Sequence, residues 1–396
     1  MAPGPAVRPA ARGAPRGPSG EHWDPWRVVE AIASIALGVA LLVWGLPLVA
    51  GEDWSAIGAV FAQLSPWQIG VLGLVWQFGL WIHTIALCAA LPGLSSPRAW
   101  FLNQSGSAVS NTLPFGGAAG TVLNYSTARV WGFSTPAFLR WAVATNIWDT
   151  LGKLVVPALA VLWLVAAGAT SPEALVSAAV AGAVTLGLLV ALTWFMLHRD
   201  IGMKVIGRLL DTLVRSLHLR RLREEHFADD AVQFRRDLAE LVAHAWGRLT
   251  VGKAAYALSQ AFLLWLCVTW LGGDASPPVV FAAFAAERLL SLAVITPGAT
   301  GLVEIGMTGT LVWFGVDPAT AAASVLLYRA FVIGLEIPVG GTALLWWLIR
   351  TRRSRRRAKA QAGAPPEAPA GAPPEAPAAA ASQPQAEDSP ATLRRP

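Results

Sequence analysis

Long uncharged runs dominate the chain. Residues 31–51 carry no charge for 21 positions, and residues 67–91 run 25 with only His83 able to ionise. Residues 174–197 extend 24 and residues 254–273 extend 20. About 20 apolar residues in a helix cross a bilayer core, whereas core helices of soluble proteins are usually shorter and amphipathic. The pattern therefore predicts membrane spans at 28–50, 67–91, 141–168, 174–197, 251–272 and 318–349. Two further stretches, 99–128 and 277–316, are broken. The first is uncharged for 30 positions but studded with Asn103, Gln104, Ser105, Ser107, Ser110, Asn111, Thr112, Asn124 and Tyr125.

Each broken stretch carries a Pro/Gly motif, Asn111-Thr-Leu-Pro-Phe-Gly-Gly-Ala-Ala-Gly120 and Ile295-Thr-Pro-Gly-Ala-Thr-Gly-Leu-Val-Glu304. In both, a glycine follows the proline by 18 residues, as Trp131-Gly132 after Pro114 and as Phe314-Gly315 after Pro297. Lipid cannot hydrogen-bond an interrupted backbone, so such breaks persist only inside protein or beside a wet cavity. A matched pair of broken segments, one per half, marks transporters built from inverted repeats. A single break of this kind would read first as a kink between packed helices.

Basic residues set the orientation. Of 30, four precede the first span, eleven lie between Arg199 and Lys253, and nine lie at Arg350 or beyond. None falls in the 51–66, 169–173, 272–278 or 315–318 links. Positive-inside sorting then puts both termini in the cytoplasm of a plasma (inner) membrane protein and gives units 67–168 and 251–349 opposite orientation. The expected fold is an all-α polytopic membrane protein with inverted repeats. It has six full spans plus two broken or re-entrant helical hairpins, or as many as ten crossings if the breaks cross fully. Residues 198–250 read as a cytoplasmic amphipathic connection, lying on the membrane or forming a solvated hairpin. Residues 1–27 and the basic, then Pro/Ala-rich tail 351–396 are expected to be disordered, which leaves 28–350 as the transmembrane domain. Residues 31–50 are too long for a cleaved signal core and read as a retained span.

Charges at membrane depth are costly and usually paired or cavity-facing. Asp149 and Lys153 share a helix face, as do Arg329 and Glu336, while Glu304 opens the half-helix after Pro297. Arg329 is expected to face a cavity with Glu304 or Glu336 as partner, and its planar fork suits phosphate. The competing reading is a structural ion pair. Pro114, Gly116, Gly117, Pro297, Gly298 and Gly301 would shape a groove, with Asn111 and Asn124 donating hydrogen bonds. The six histidines and the two cysteines, Cys88 and Cys267, show no metal-ligand spacing. No nucleotide-binding or nucleophile motif occurs, and neither an enzymatic role nor a cofactor is expected.

These residues resemble the transmembrane region of the lysylphosphatidylglycerol synthases, a family of flippase-like integral membrane proteins, over residues 30–350. Pro297-Gly298-Ala299-Thr300-Gly301-Leu302-Val303-Glu304 is similar to the family's Pro-x-x-x-Gly-x-x-Glu, with Gly315-Val316 and Arg329 where the pattern expects them. In the first half Asn111-x-x-Pro114, Trp131-Gly132-Phe133-Ser134 and Asp149 fit. Gly116, Ala118, Ala119 and Val122 stand where the common form has Arg, Gly, Glu and Arg, a Pro-x-Gly-Gly variant. The resemblance implies movement of a phospholipid or lipid-linked headgroup between leaflets, without the soluble synthase domain. The alternatives are a non-transporting scaffold for cell-envelope assembly and an intramembrane transferase acting on polyprenyl-linked sugar. Expected partners are membrane lipid, with cell-envelope enzymes and a second copy of the chain as further candidates. Nucleic acid is disfavoured because the 352–357 arginine cluster abuts a span.

Overall fold

The computed structural model describes residues 33, 35–113, 116–168, 187, 227–292 and 296–362. The N-terminal tail, the connection as far as 226, the tail from 363, Pro114 and, apart from residue 187, the predicted 174–197 span lie outside the described residues. Within them every regular element is helical, and no strand occurs.

Helix α1 runs Ile35–Ala50 and turns through 87° into α2, Trp54–Phe61. The turn falls at Gly51, left-handed at φ 70°, after which Asp53 caps α2; Pro47, inside α1, has no N–H to give to the carbonyl four residues back, that of Val43. The chain widens into a π turn over Leu41–Gly45, and the indole Nε1 of Trp54 supplies Val43 with a donor at 3.0 Å. Helix α3, Pro66–Ala90, begins on a capping box in which Gln68 accepts from the Ser65 backbone N–H at 2.9 Å. It agrees closely with the predicted span 67–91.

The first broken stretch is a helical hairpin, α4 (Ser96–Thr112) and α5 (Gly116–Val130). Helix α6 (Thr135–Ala166) follows. Helix α7 (Phe227–Trp270) runs 44 residues without interruption. The amphipathic segment and the fifth span, separated at 250 on sequence, are therefore one rod here. Good helix formers such as Ala, Leu, Arg and Glu fill residues 227–250, and no Pro or cap signal ends the helix before the apolar residues begin.

The second broken stretch is a shorter hairpin of α8 (Pro277–Leu290) and α9 (Leu302–Trp313), with a 3₁₀ turn at Pro297–Ala299. Helix α10 (Pro318–Arg329) leads through a π turn (Ala330–Gly334) into α11 (Glu336–Ala362), which carries on beyond residue 350 through the arginine cluster. Again a proline lies just downstream. Pro338 withholds the N–H that Gly334 would use, and the π bond from Leu335 N–H to Ala330 O, 2.7 Å, takes up the slack.

Among the described residues four helices are long and apolar enough to cross a membrane: Pro66–Ala90, Thr135–Ala166, Val232–Trp270 and Pro318–Arg353. The bent α1–α2 pair makes a fifth if taken as one span. The hairpin helices contain 12 to 17 residues, about 18–26 Å at 1.5 Å per residue, and are too short to cross upright.

The two hairpins end alike. Gly132 (φ 91°) and Gly315 (φ 90°) close α5 and α9 in left-handed turns that a side chain would strain. Phe133 N–H bonds Ala128 O at 3.1 Å and Val316 N–H bonds Leu311 O at 3.0 Å, the same long closing bond. Ser134 and Asp317 then cap the next helices, each followed within two residues by a proline in the first turn. The hydrogen bonds from Thr320 to Asp317 hold its carboxyl below the usual carboxylate range. That capping contribution is complete above the ordinary range and is lost as pH falls through the depressed value. Asp317→Ala should therefore cost about 1 kcal/mol near neutrality, and its melting-temperature deficit should shrink in acid; a deficit independent of pH would contradict the cap.

Small residues set the helix spacing. Gly79 of α3 packs on Ser259 of α7, and Gly252 of α7 sits over the Ala86 backbone. Gly116 and Gly120 of α5 sit against Ser110 and Gly106 of α4. Without a hydrophobic drive between helices in lipid, such close approach supplies the packing energy. Two apolar cores result. One joins α1–α3 with α6–α10, and the other joins the end of α3 with α4–α6 and the start of α7.

Candidate functional site

The second break is built around Arg329, at the end of α10. The side chain is only 8% exposed, and each nitrogen of its fork is committed. Nε donates to Glu304 Oε1 at 2.7 Å, Nη2 donates to the Gly298 carbonyl at 2.7 Å, and Nη1 lies 3.5 Å from Glu287 Oε1. Gly298 sits in the 3₁₀ turn with φ 62°, and Ala299 beside it is left-handed at φ 53°. That strained turn frees the carbonyl that Arg329 takes.

Glu304 faces two ways. Its other oxygen accepts the Gly301 N–H at 2.6 Å, capping the first turn of α9, where the helix dipole favours an acid. Gly301 has no room for a side chain, because the Gly38 carbonyl and Leu41 of α1 press on it.

Glu287 carries the network outward. Oε2 accepts from the Tyr328 hydroxyl at 2.7 Å and lies 3.1 Å from Arg288 Nη2. Arg288 donates to Gln260 of α7 at 3.0 Å and stands over the Phe284 ring at 4.6 Å. Gln260 donates to the Tyr256 hydroxyl at 2.8 Å, and Tyr256 stacks on His83 of α3 at 4.3 Å. Two carboxylates and two guanidiniums thus balance in a polar chain that ties α3, α7, α8, α9 and α10 together.

The first break reaches this network through Asn111, in the last turn of α4. Its side chain lies beside Gly298 and donates to Glu336 Oε2 of α11 at 3.3 Å. Asn111, Gly298, Gly301, Glu304, Arg329 and Glu336 are therefore brought together, and the 3₁₀ turn that includes Pro297 packs against α4. The other predicted residues lie apart from them. Gly116 serves the α4–α5 packing, and Gly117 has open space around it. Asn124 rests on Gly106, and its Oδ1, buried, has no hydrogen-bond partner among the described residues. Asp149 pairs with Lys253 of α7 at 2.6 Å rather than with Lys153, whose Nζ points to the Ser291 carbonyl at 3.4 Å. Both are spaced for the i, i+4 bond, but α7 and α8 offer each a better-placed partner than its own helix does.

Glu287, Tyr328 and Gln260 belong to the site and were not among the candidates. Glu287-Arg288, the charged pair within an otherwise apolar α8, was the available signal. Among the described residues no group of His, Cys, Asp and Glu is arranged to hold a metal ion. What the constellation can do is hold a strained turn shut through an arginine with three internal partners. Each of those partners is one that a phosphate oxygen could replace.

Residues 31–340, most of the chain, match the family described as Lysylphosphatidylglycerol synthase TM region. No curated protein matches the chain.

Proposed function

This chain belongs to the lysylphosphatidylglycerol synthase transmembrane-region family, and on that footing we propose that it is a lipid translocase. It moves a phospholipid or lipid-linked headgroup between leaflets of the plasma membrane, without catalysing a reaction. Membership and the apolar helices make it a multi-pass membrane protein with a lipid-related role. The finer reading is carried by one observation: the two helical breaks meet, with Asn111 of the first beside Gly298 of the second and Arg329 bonded to the same turn. Interrupted helices meeting at one point are the construction that transporters use at a substrate site.

The matched hairpins, with their shared closing turns, support two inverted repeats, and both termini belong in the cytoplasm by charge. The headgroup phosphate displaces a carboxylate from Arg329 while the tails stay in lipid. A non-transporting scaffold is the second reading, favoured by the fact that each nitrogen of the Arg329 fork already has a partner within the protein.

Reconstitution separates the two. With a fluorescent phosphatidylglycerol in vesicles and a quencher outside, the protein should accelerate exchange over empty vesicles. Arg329→Lys keeps the charge but loses the fork, and should slow exchange about tenfold, the worth of one charge-assisted hydrogen bond. No acceleration with several headgroup classes sinks the translocase, and a new covalent lipid product would point to a transferase.

A further inference from the structure

Glu336 differs from the other buried acids. Glu287 and Glu304 each face a guanidinium, whereas Glu336, 6% exposed, has no ion-pair partner among the described residues. Its surroundings are neutral donors of α4: Asn111 at 3.3 Å, with Ser107 one turn back alongside. From α10 the nearest cation is Arg329, seven residues earlier and already committed to Glu304, Glu287 and Gly298. From α7 the titratable group that senses Glu336 is the Tyr256 phenol. The 3₁₀ turn contributes only backbone, and Glu304 of α9 is held by Arg329 and Gly301.

A second feature lies on the same seam. Gln104, two turns before Asn111 on the same face of α4, is fully buried, yet neither its amide oxygen nor its amide nitrogen has a partner among the described residues. Gly340, one turn beyond Glu336, packs directly on the Gln104 backbone carbonyl. Buried polar atoms without protein partners are ordinarily satisfied by water. The seam between α4 and α11 therefore carries neutral polar groups, the Gln104 backbone carbonyl, Ser107 and Asn111, and ends at a carboxyl.

We propose that Glu336 is a proton-binding site that couples lipid movement to the proton gradient. This rests on the translocase reading above. A carboxylate buried without a counter-ion is far costlier than the corresponding acid, so a proton decides whether the α4–α11 seam can close. With the proton on, the seam closes as observed. When the proton leaves to water, the charge draws water or a cation into the seam, and Asn111 and α4 part from the second break. One proton is taken from water on one face and returned to water on the other, with no covalent change in the lipid.

The test uses the full chain in phosphatidylglycerol-containing vesicles. Infrared difference spectra between acid and alkaline buffer should show a buried carboxylic-acid carbonyl band that vanishes in Glu336→Gln and shifts in Glu336→Asp. With one proton per lipid, each pH unit across the membrane should bias fluorescent phosphatidylglycerol about tenfold between leaflets. Glu336→Gln should abolish that bias, and a sodium gradient should create none. A band that survives Glu336→Gln, a bias that follows sodium instead, or a bias unchanged in folded Glu336→Gln overturns the proposal. If the wild type moves no lipid, the translocase reading fails by itself, and the infrared band still decides whether Glu336 takes up the proton.

Discussion

Arg329→Met is expected to be the most damaging single charge removal in the chain. It strands two buried carboxylates, Glu304 and Glu287, and releases the Gly298 carbonyl from the Arg329 donor. Removing one partner of a buried pair costs about 3–5 kcal/mol because the remaining charge has nowhere to go. For a chain of this size that corresponds to a melting temperature lower by about 4–6 °C in detergent. The double variant Arg329→Met/Glu304→Gln removes one of the stranded charges and should recover part of the loss. Glu287 keeps Arg288 and Tyr328, so its share of the penalty is the smaller one. If the double variant melts no higher than the single, the stranded-charge account is wrong and the damage comes from lost packing around α10. This experiment reads stability alone, so its outcome bears on the site whether or not lipid is moved.

Much of that site could be read from residue types and spacing. Glu304 and Arg329 stand out as charges in apolar surroundings, and Gly298 and Gly301 stand out as glycines in a break. What spacing cannot supply is which of several acids an arginine meets across helices. Arg329 and Glu336 lie on one helix face by count, yet the intervening π turn and Pro338 lead Glu336 away to Asn111 of α4. Asp149 illustrates the same limit, since its i+4 neighbour Lys153 loses to Lys253 from α7. Within one helix, sequence gives the neighbours. Between helices, the closest approach is set by small residues such as Gly79, Gly252 and Gly340, and their partners lie far away in the chain.

The fold shows a similar division. The span at 67–91, the two broken hairpins and the turns at Gly132 and Gly315 follow from local pattern, because a cap, a proline or a left-handed glycine acts within a few residues. The continuity of α7 did not follow. Hydropathy changes sharply near residue 250, and on pattern alone that change marks a boundary between elements. Helix propensity, however, does not change there, so the rod passes from polar to apolar surroundings without a break. Beside the 87° turn between α1 and α2, the Trp54 indole reaches back to the carbonyl that Pro47 leaves bare, a contact that local pattern does not supply.

Two adjacent glycines in α11 give the sharpest packing contrast. A Cβ on Gly340 would collide with the Gln104 carbonyl oxygen, and would lie 2.7 Å from the Gln104 carbonyl carbon and 2.8 Å from Ala108 Cβ. Backbone cannot swing aside as a flexible side chain can, so Gly340→Leu must push α4 away from α11. Overpacking of this kind costs about 1–3 kcal/mol or more. Here it also separates Asn111 from Glu336, the contact through which the first break meets the last helix. Gly341, one residue on, has nothing within 4 Å of a Cβ. Gly341→Leu should therefore be neutral or stabilising by up to about 1 kcal/mol, since glycine is a poor helix former. Thermal melts should thus place Gly340→Leu below the wild type and Gly341→Leu at or above it. Thiol labelling of Asn111→Cys should be faster in the Gly340→Leu background and unchanged beside Gly341→Leu. Equal behaviour of the two variants would mean that α4 does not lie against α11 in the membrane, and the meeting of the two breaks would lose its physical basis.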